Sequence, residues 1–232
     1  MSENKGKLIV LDGTDGSGKS TQFKMLVERM EERGIPFAQI KFPCYESPAS
    51  VLVRQYLAGE YGEDAAGVNI YAASMFYAMD RYDAWMKNYN EWREVYESGG
   101  VVIADRYTTA NFIHQAAKLE TLRERFRFFS WLKETEFNLF GLPEPDLVVL
   151  LNMPADKAME FLAKRQEETG ETADIHETSA VYLRNCHDAA MDAARAMDWG
   201  VVSCVDRDGV RSPEEIHEDV WSFVGEVLGC EE

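Results

Sequence analysis

From Gly13 to Ser20 the chain reads Gly-Thr-Asp-Gly-Ser-Gly-Lys-Ser, which fits the pattern G-x-x-x-x-G-K-[ST]. The residues before it, Lys7–Asp12 (KLIVLD), form the short apolar run of a strand buried on both faces. The residues after it, Lys19–Arg33, place Phe23, Leu26, Val27 and Met30 at helical spacing, and Gly34 is a natural stop. A strand, a glycine turn and a helix in this order suit a phosphate-binding loop. Glycines let backbone N–H groups wrap phosphate oxygens, and the helix start adds partial positive charge. Lys19 is then placed to reach the β- and γ-phosphates of a nucleotide, and the Ser20 hydroxyl to ligate Mg²⁺. Asp15 is the odd residue, because phosphates repel a carboxylate. A substrate hydroxyl or a water-held metal would give it a task, and a plain turn-forming role is the alternative.

The rest of the chain repeats the same alternation. Phe37–Phe42, Val101–Asp105, Leu147–Asn152 and Val201–Val205 read as further apolar strands. Between and after them come helices at Pro48–Leu57, Asn69 to about Ser98, Thr108–Lys118, Thr121–Phe140, Pro154–Arg165, Ser179–Trp199 and Pro213–Leu228. The polar, acidic stretch from Gln166 to about residue 178 reads as a mobile lid. Continuous apolar strands alternating with helices predict an α/β fold: a five-stranded, mostly parallel sheet with helices on both faces. No repeat or linker divides the 232 residues, so a single domain over 1–232 is expected. Ligands of such a sheet sit at the carboxyl ends of its strands, here just after Asp12, Phe42, Asp105 and Asn152.

Composition narrows the partners. With 24 Lys plus Arg against 41 Asp plus Glu, the formal charge is −17, which argues against generic nucleic-acid binding. No run approaches 18 apolar residues and the N-terminus lacks a secretory pattern, so neither a membrane span nor export is expected. Cys44, Cys186, Cys204 and Cys230 form no CxxC pair, which suits a reducing cytoplasm. A guanine-reading N-K-x-D is absent. Asp206–Gly209 matches D-x-x-G but follows the last strand, where a nucleotide switch would be out of place.

Asp105-Arg106-Tyr107 closes the third strand, beside the glycine loop in this architecture. An Asp there can organise a metal and its waters, and an Arg can grip a phosphate with its planar fork. With these residues the chain resembles the thymidylate kinase family, in its bacterial dTMP-kinase-like branch. The resemblance runs from Leu8 to about Val205. It rests on GTDGSGKST (Gly13–Thr21), FPCYESP (Phe42–Pro48), FYAMDRY within Tyr71–Tyr82, DRYTTANFIHQ (Asp105–Gln115) and DIHE (Asp174–Glu177).

The resemblance implies a P-loop NTPase fold of the nucleoside-monophosphate-kinase kind, which moves a phosphoryl group from MgATP to dTMP. ATP would lie on Gly13, Asp15, Gly16, Ser17, Gly18, Lys19, Ser20 and Thr21. Mg²⁺ would be held by Ser20 and Asp105, with Asp15 as a further partner. The acceptor would meet Asp15 at the sugar, Phe42 along the nucleoside, Tyr77 (or its neighbour Phe76) and Arg81 at the base, and Arg106 at its phosphate. Tyr45, Asn111, His114 and Gln115 complete that set, with Asn111 reading the base and His114 near the sugar 2′-carbon. Lys19, Arg106, Asp15 and Arg165 are the catalytic candidates, and a cytoplasmic homodimer is implied. Other acceptors, such as dUMP or a deoxynucleoside, and a non-catalytic nucleotide-binding role are the alternatives. Three positions depart from the family. Cys44 stands where many members carry Arg, Ala110 replaces a Ser, and Gly16 occupies the place of a catalytic Arg, while 166–177 holds no Arg at all.

Overall fold

A computed structural model describes residues 5–62, 67–169 and 180–230. Among these residues, strands β1 (Lys7–Gly13), β2 (Phe37–Lys41), β3 (Val101–Asp105), β4 (Leu147–Asn152) and β5 (Gly200–Ser203) form one sheet in the order β2-β3-β1-β4-β5. Every pairing is parallel. The apolar runs explain this, because successive side chains must find cover on opposite faces. Ile9, Leu11, Ile103, Val149 and Leu151 pack against α1 (Lys19–Glu32) and α9 (Pro213–Leu228) through Leu26, Met30, Val220 and Trp221. Leu8, Val10, Val102 and Ala104 face the other way, onto Trp85, Trp92 and Tyr107. Each fully buried Leu, Ile, Val or Met side chain among these contributes about 1.5–3 kcal/mol.

The remaining helices are α2 (Val51–Leu57), α3 (Ile70–Met86), α4 (Trp92–Glu97), α5 (Thr109–His114), α6 (Leu122–Lys133), α7 (Ala155–Thr169) and α8 (Ala180–Met197). Their ends follow side-chain chemistry. Asn69 accepts from the Tyr71 and Ala72 amides at the start of α3, and capping boxes Thr121/Glu124 and Ser212/Glu215 open α6 and α9.

Several stretches differ from the sequence reading. The helix expected from Asn69 to Ser98 breaks after Met86, where Asn88, Asn90 and Glu91 take left-handed backbone angles. That turn brings Trp92 back against Trp85, with ring centroids 4.6 Å apart, and lets its indole N–H donate to the Ala84 carbonyl. The expected helix Thr121–Phe140 gives way after Lys133 to a wider π-helical turn, Glu134–Leu139. The final strand begins one residue early and ends at Ser203, and α7 continues to Thr169, so the first residues of the expected lid are helical. Residues 170–178 of that lid, DIHE included, lie outside the described residues. Asp206–Gly209 is a turn closed by the Asp206 carboxylate on the Asp208 and Gly209 amides.

Candidate active site

At the end of β1, Gly16 and Gly18 adopt positive φ angles of 79° and 83°, and α1 opens at Lys19 with no side-chain cap. The first amides of α1 are therefore left to whatever occupies the cleft above them. A Cβ on Gly16 would lie 2.4 Å from the Ala158 carbonyl oxygen, so this glycine is pressed against the start of α7 and leaves no room for a side chain. Lys19 folds back, its Nζ donating to the Gly13 carbonyl at 3.3 Å. Burial, then the Arg106 charge, push its ammonium below the ordinary lysine value, against Asp15, Asp12 and Asp105.

The parallel register sets the end of β3 beside this loop, with Leu11 opposite Asp105 and the Arg106 amide donating to the Leu11 carbonyl at 3.2 Å. Arg106 has φ +65°, an uncommon conformation for a non-glycine residue, and its guanidinium pairs with the Asp15 carboxylate. Burial alone would raise the Asp15 carboxyl. The Arg106 guanidinium, with His114 and Lys19 behind it, outweighs burial and holds Asp15 well below the usual carboxylate range. Two residues not singled out in the sequence support the seam. Buried Asp12 accepts from the Gly13 amide at 2.8 Å and from the Thr109 hydroxyl, and Lys41 Nζ lies 3.1 Å from Asp105 Oδ2.

Two clefts meet here. One follows the glycine loop, bordered by Gly16–Gln22 and Asp105, and runs out to Phe161, Leu162, Arg165 and Ile216. The other is bordered by Tyr77, Arg81, Asn111, His114 and Gln115. Asp15, Phe42, Pro43, Tyr45 and Arg106 belong to both. The expected ATP residues other than Gly13, and Arg165, thus fall in the first cleft, and the expected acceptor residues other than Phe76 in the second. Phe76 lies elsewhere, packed between Tyr56 and Tyr61 with centroids 6.4 and 5.3 Å away. Cys44 borders neither cleft. Its amide donates to Asp80 at 2.8 Å and its thiol to the Lys41 carbonyl at 3.3 Å.

Inside the second cleft Gln115 is buried, with both amide atoms lacking a hydrogen-bond partner among the described residues. Such a group asks for a polar ligand. Arg81 is fully buried and forks onto Glu136, Nε and Nη2 each donating over 2.7 Å. Burial disfavours its charge, yet the Glu136 carboxylate more than offsets this and raises the guanidinium further. Glu136 escaped the sequence reading, although it stands four residues after Leu132 and seven after Phe129, where the buried stripe of α6 runs on into the turn Glu134–Leu139. A charged residue on that stripe was the available signal.

Ser20, Asp105 and Asp15 supply hydroxyl and carboxylate oxygens around the first cleft, a donor set suited to Mg²⁺ shared with phosphates. Among the described residues no helix is long and apolar enough to cross a membrane.

Residues 11–220 match the family model described as thymidylate kinase. Thymidylate kinase of Mycobacterium tuberculosis is 32% identical over 195 residues, covering 83% of this chain and 87% of the relative. The enzyme of that name from Symbiobacterium thermophilum is 28% identical over 221 residues, 95% of this chain and 93% of the relative. The structure of thymidylate kinase from Candida albicans superposes with a TM-score of 0.68 at 19% identity, covering 98% of this chain and 94% of that one, which establishes a shared fold. The match over nearly the whole chain, on a loop and strand end arranged as above, shows that the chain belongs to the thymidylate kinase family.

Proposed function

We propose that the chain transfers the terminal phosphoryl group of ATP to the phosphate of dTMP, giving ADP and dTDP. The observation that carries this reading is the seam: two clefts share one wall, at Asp15 and Arg106, where donor and acceptor phosphates can face each other. An acceptor phosphate oxygen attacks the γ-phosphorus as the bond to the β-bridging oxygen breaks. That oxygen is already ionised, so no general base is required. What the protein must supply is alignment and positive charge. Lys19 and the opening amides of α1 serve the donor phosphates, and Arg106 serves the acceptor phosphate, exchanging its bond to Asp15 for one to the ligand. Asp15, released, is free to take the sugar hydroxyl. Arg165, at the rim of the loop cleft, is the candidate for charge from the lid side. Ser20 and Asp105 would hold Mg²⁺, which when bound offsets the charge of the β- and γ-phosphates.

In the acceptor cleft Phe42 and Tyr77 would flank the nucleoside, Arg81 and Asn111 would read the base, and Tyr45, His114 and Gln115 would line the sugar and its surroundings. Residues 1–232 are read as one nucleoside-monophosphate-kinase-like domain with a lid near 166–178. A homodimer follows from the resemblance, four cysteines without a CxxC pair suit a reducing cytoplasm, and the charge of −17 supports small-molecule partners in place of nucleic acid or membrane. The test is ADP release with a panel of acceptors. Release with dTMP well above that with thymidine or no acceptor is expected. Release no higher than the no-acceptor control with dTMP, while thymidine or dUMP is active, would overturn the substrate assignment.

A further inference from the structure

Glu136 borders neither cleft, yet it holds two side chains that line the acceptor cleft, Arg81 and Asn111, together with Thr108 just behind them. Its Oε2 accepts from Arg81 Nε at 2.7 Å and from the Thr108 hydroxyl at 3.1 Å, and its Oε1 accepts from Arg81 Nη2 at 2.7 Å and Asn111 Nδ2 at 3.4 Å. The carboxylate is fully buried in the turn Glu134–Leu139.

A carboxylate accepts hydrogen bonds and donates none. It therefore dictates which way its partners point. Asn111 Nδ2 donates to Glu136 and, at 3.3 Å, to the Ser74 carbonyl. The swapped amide would set its oxygen against two acceptors. Both N–H bonds of Asn111 are thus drawn inward and its Oδ1 remains for the cleft. Arg81 has Nε and one Nη2 hydrogen committed to the fork. Its other donors are not taken by Glu136, one of them making a long 3.4 Å contact from Nη1 to the Tyr107 carbonyl, and Arg81 itself lines the cleft. The wall presents a donor beside an acceptor.

We propose that Glu136 is a positioning residue that sets this polarity, so that the cleft accepts a pyrimidine with a carbonyl beside a ring N–H, as in thymine, and refuses one with an amino group beside a bare ring nitrogen, as in cytosine. This rests on the acceptor assignment made above and names how the base is chosen. Removing the carboxylate charge while keeping its shape leaves one Arg81 donor facing an N–H and loosens the hold on Asn111.

The test compares dTMP with dCMP on the full chain, by calorimetric binding and by kcat/KM, for wild type, Glu136→Gln and Glu136→Asp. The preference for dTMP is expected to fall about tenfold or more in Glu136→Gln, the loss appearing in acceptor Kd and KM, with the KM for ATP within about twofold of wild type. Glu136→Asp, which keeps two accepting oxygens, is expected to retain more of the preference than Glu136→Gln. A merely structural role would weaken both acceptors alike. An unchanged preference in Glu136→Gln, an Asp variant no better than the Gln variant, or a wild type that binds both nucleotides equally overturns the proposal. Should Glu136→Gln not fold, Thr108→Val removes one donor from the carboxylate without altering the cleft lining: a reduced preference supports the proposal, an unchanged one overturns it. The binding ratios read Glu136 even if wild type turns over neither nucleotide, an outcome that would instead sink the kinase reading.

Discussion

Asp15 and Arg106, 91 positions apart in sequence, form an ion pair on the wall shared by the two clefts. Arg106 reaches Asp15 because the end of β3 lies beside the end of β1 and the arginine backbone turns left-handed there. The pair keeps a partly buried cation and a partly buried carboxylate compensated until a ligand arrives.

Arg106→Ala is expected to lower kcat/KM for the acceptor about 10²-fold or more, as removal of a charge-assisted contact made to a transferring phosphate should. The same substitution also costs stability, because it leaves the partly buried Asp15 without its partner. The double variant Arg106→Ala/Asp15→Asn should therefore be less destabilised than the sum of the two single variants. Steady-state kinetics with denaturant melts on all four proteins would show it, and near-normal turnover in Arg106→Ala would place the acceptor phosphate elsewhere.

The same pair predicts a pH dependence of stability. The Asp15 carboxyl is held below its ordinary value in the folded chain, so the folded state resists a proton that the unfolded chain accepts. Its contribution is complete above the ordinary carboxylate pKa of about 3.9 and is lost as pH falls below that value. Asp15→Asn should be less stable at neutral pH and should lose less stability than wild type on going from about pH 5 to pH 3. Denaturant midpoints across that range measure the difference, and parallel curves would refute the assignment.

Gly16→Ala should damage the donor site. The residue has φ +79° and its added carbon would meet the Ala158 carbonyl oxygen at 2.4 Å, so backbone strain of about 1–2 kcal/mol joins a displaced loop. The expected result is a lower melting temperature and a raised KM for ATP, with a smaller change in acceptor binding. An unchanged KM for ATP would mean the loop tolerates the shift.

Cys44 should be chemically quiet. Burial, followed by the Asp80 and Asp83 charges, pushes its thiol up to about 12 despite nearby Arg81. At pH 8 about one molecule in 10⁴ would carry the thiolate. Iodoacetamide at that pH should leave Cys44 unmodified in the folded protein, as peptide mass mapping would report. Rapid modification would show that the loop opens.

The residues proposed to face phosphate were legible in the sequence because their chemistry is local. A glycine turn between strand and helix, and an Asp-Arg at a strand end, announce themselves within a few positions. Tyr77 and Arg81 were legible only through a resemblance, and of the pair Phe76 and Tyr77 it is Tyr77 that borders the second cleft while Phe76 packs on Tyr56 and Tyr61. The break after Met86 left no proline or glycine to read. Asparagines made it, and Trp85, Trp92 and Tyr96 kept the look of one continuous buried stripe. Glu136 was hidden for a different reason: in a list of helix residues a glutamate reads as solvent-facing, and its role exists only once α3 and α5 bring Arg81, Thr108 and Asn111 to it.

Phe42, Pro43, Tyr45, Asp15 and Arg106 serve as a party wall between two tenants. Renovation there disturbs both, so substitutions at these five positions will not combine additively with changes on either side. Drift in which nucleotide is accepted is thereby channelled toward the far end of the second chamber, around Tyr77, Asn111 and Gln115, where alteration leaves the nucleotide donor undisturbed.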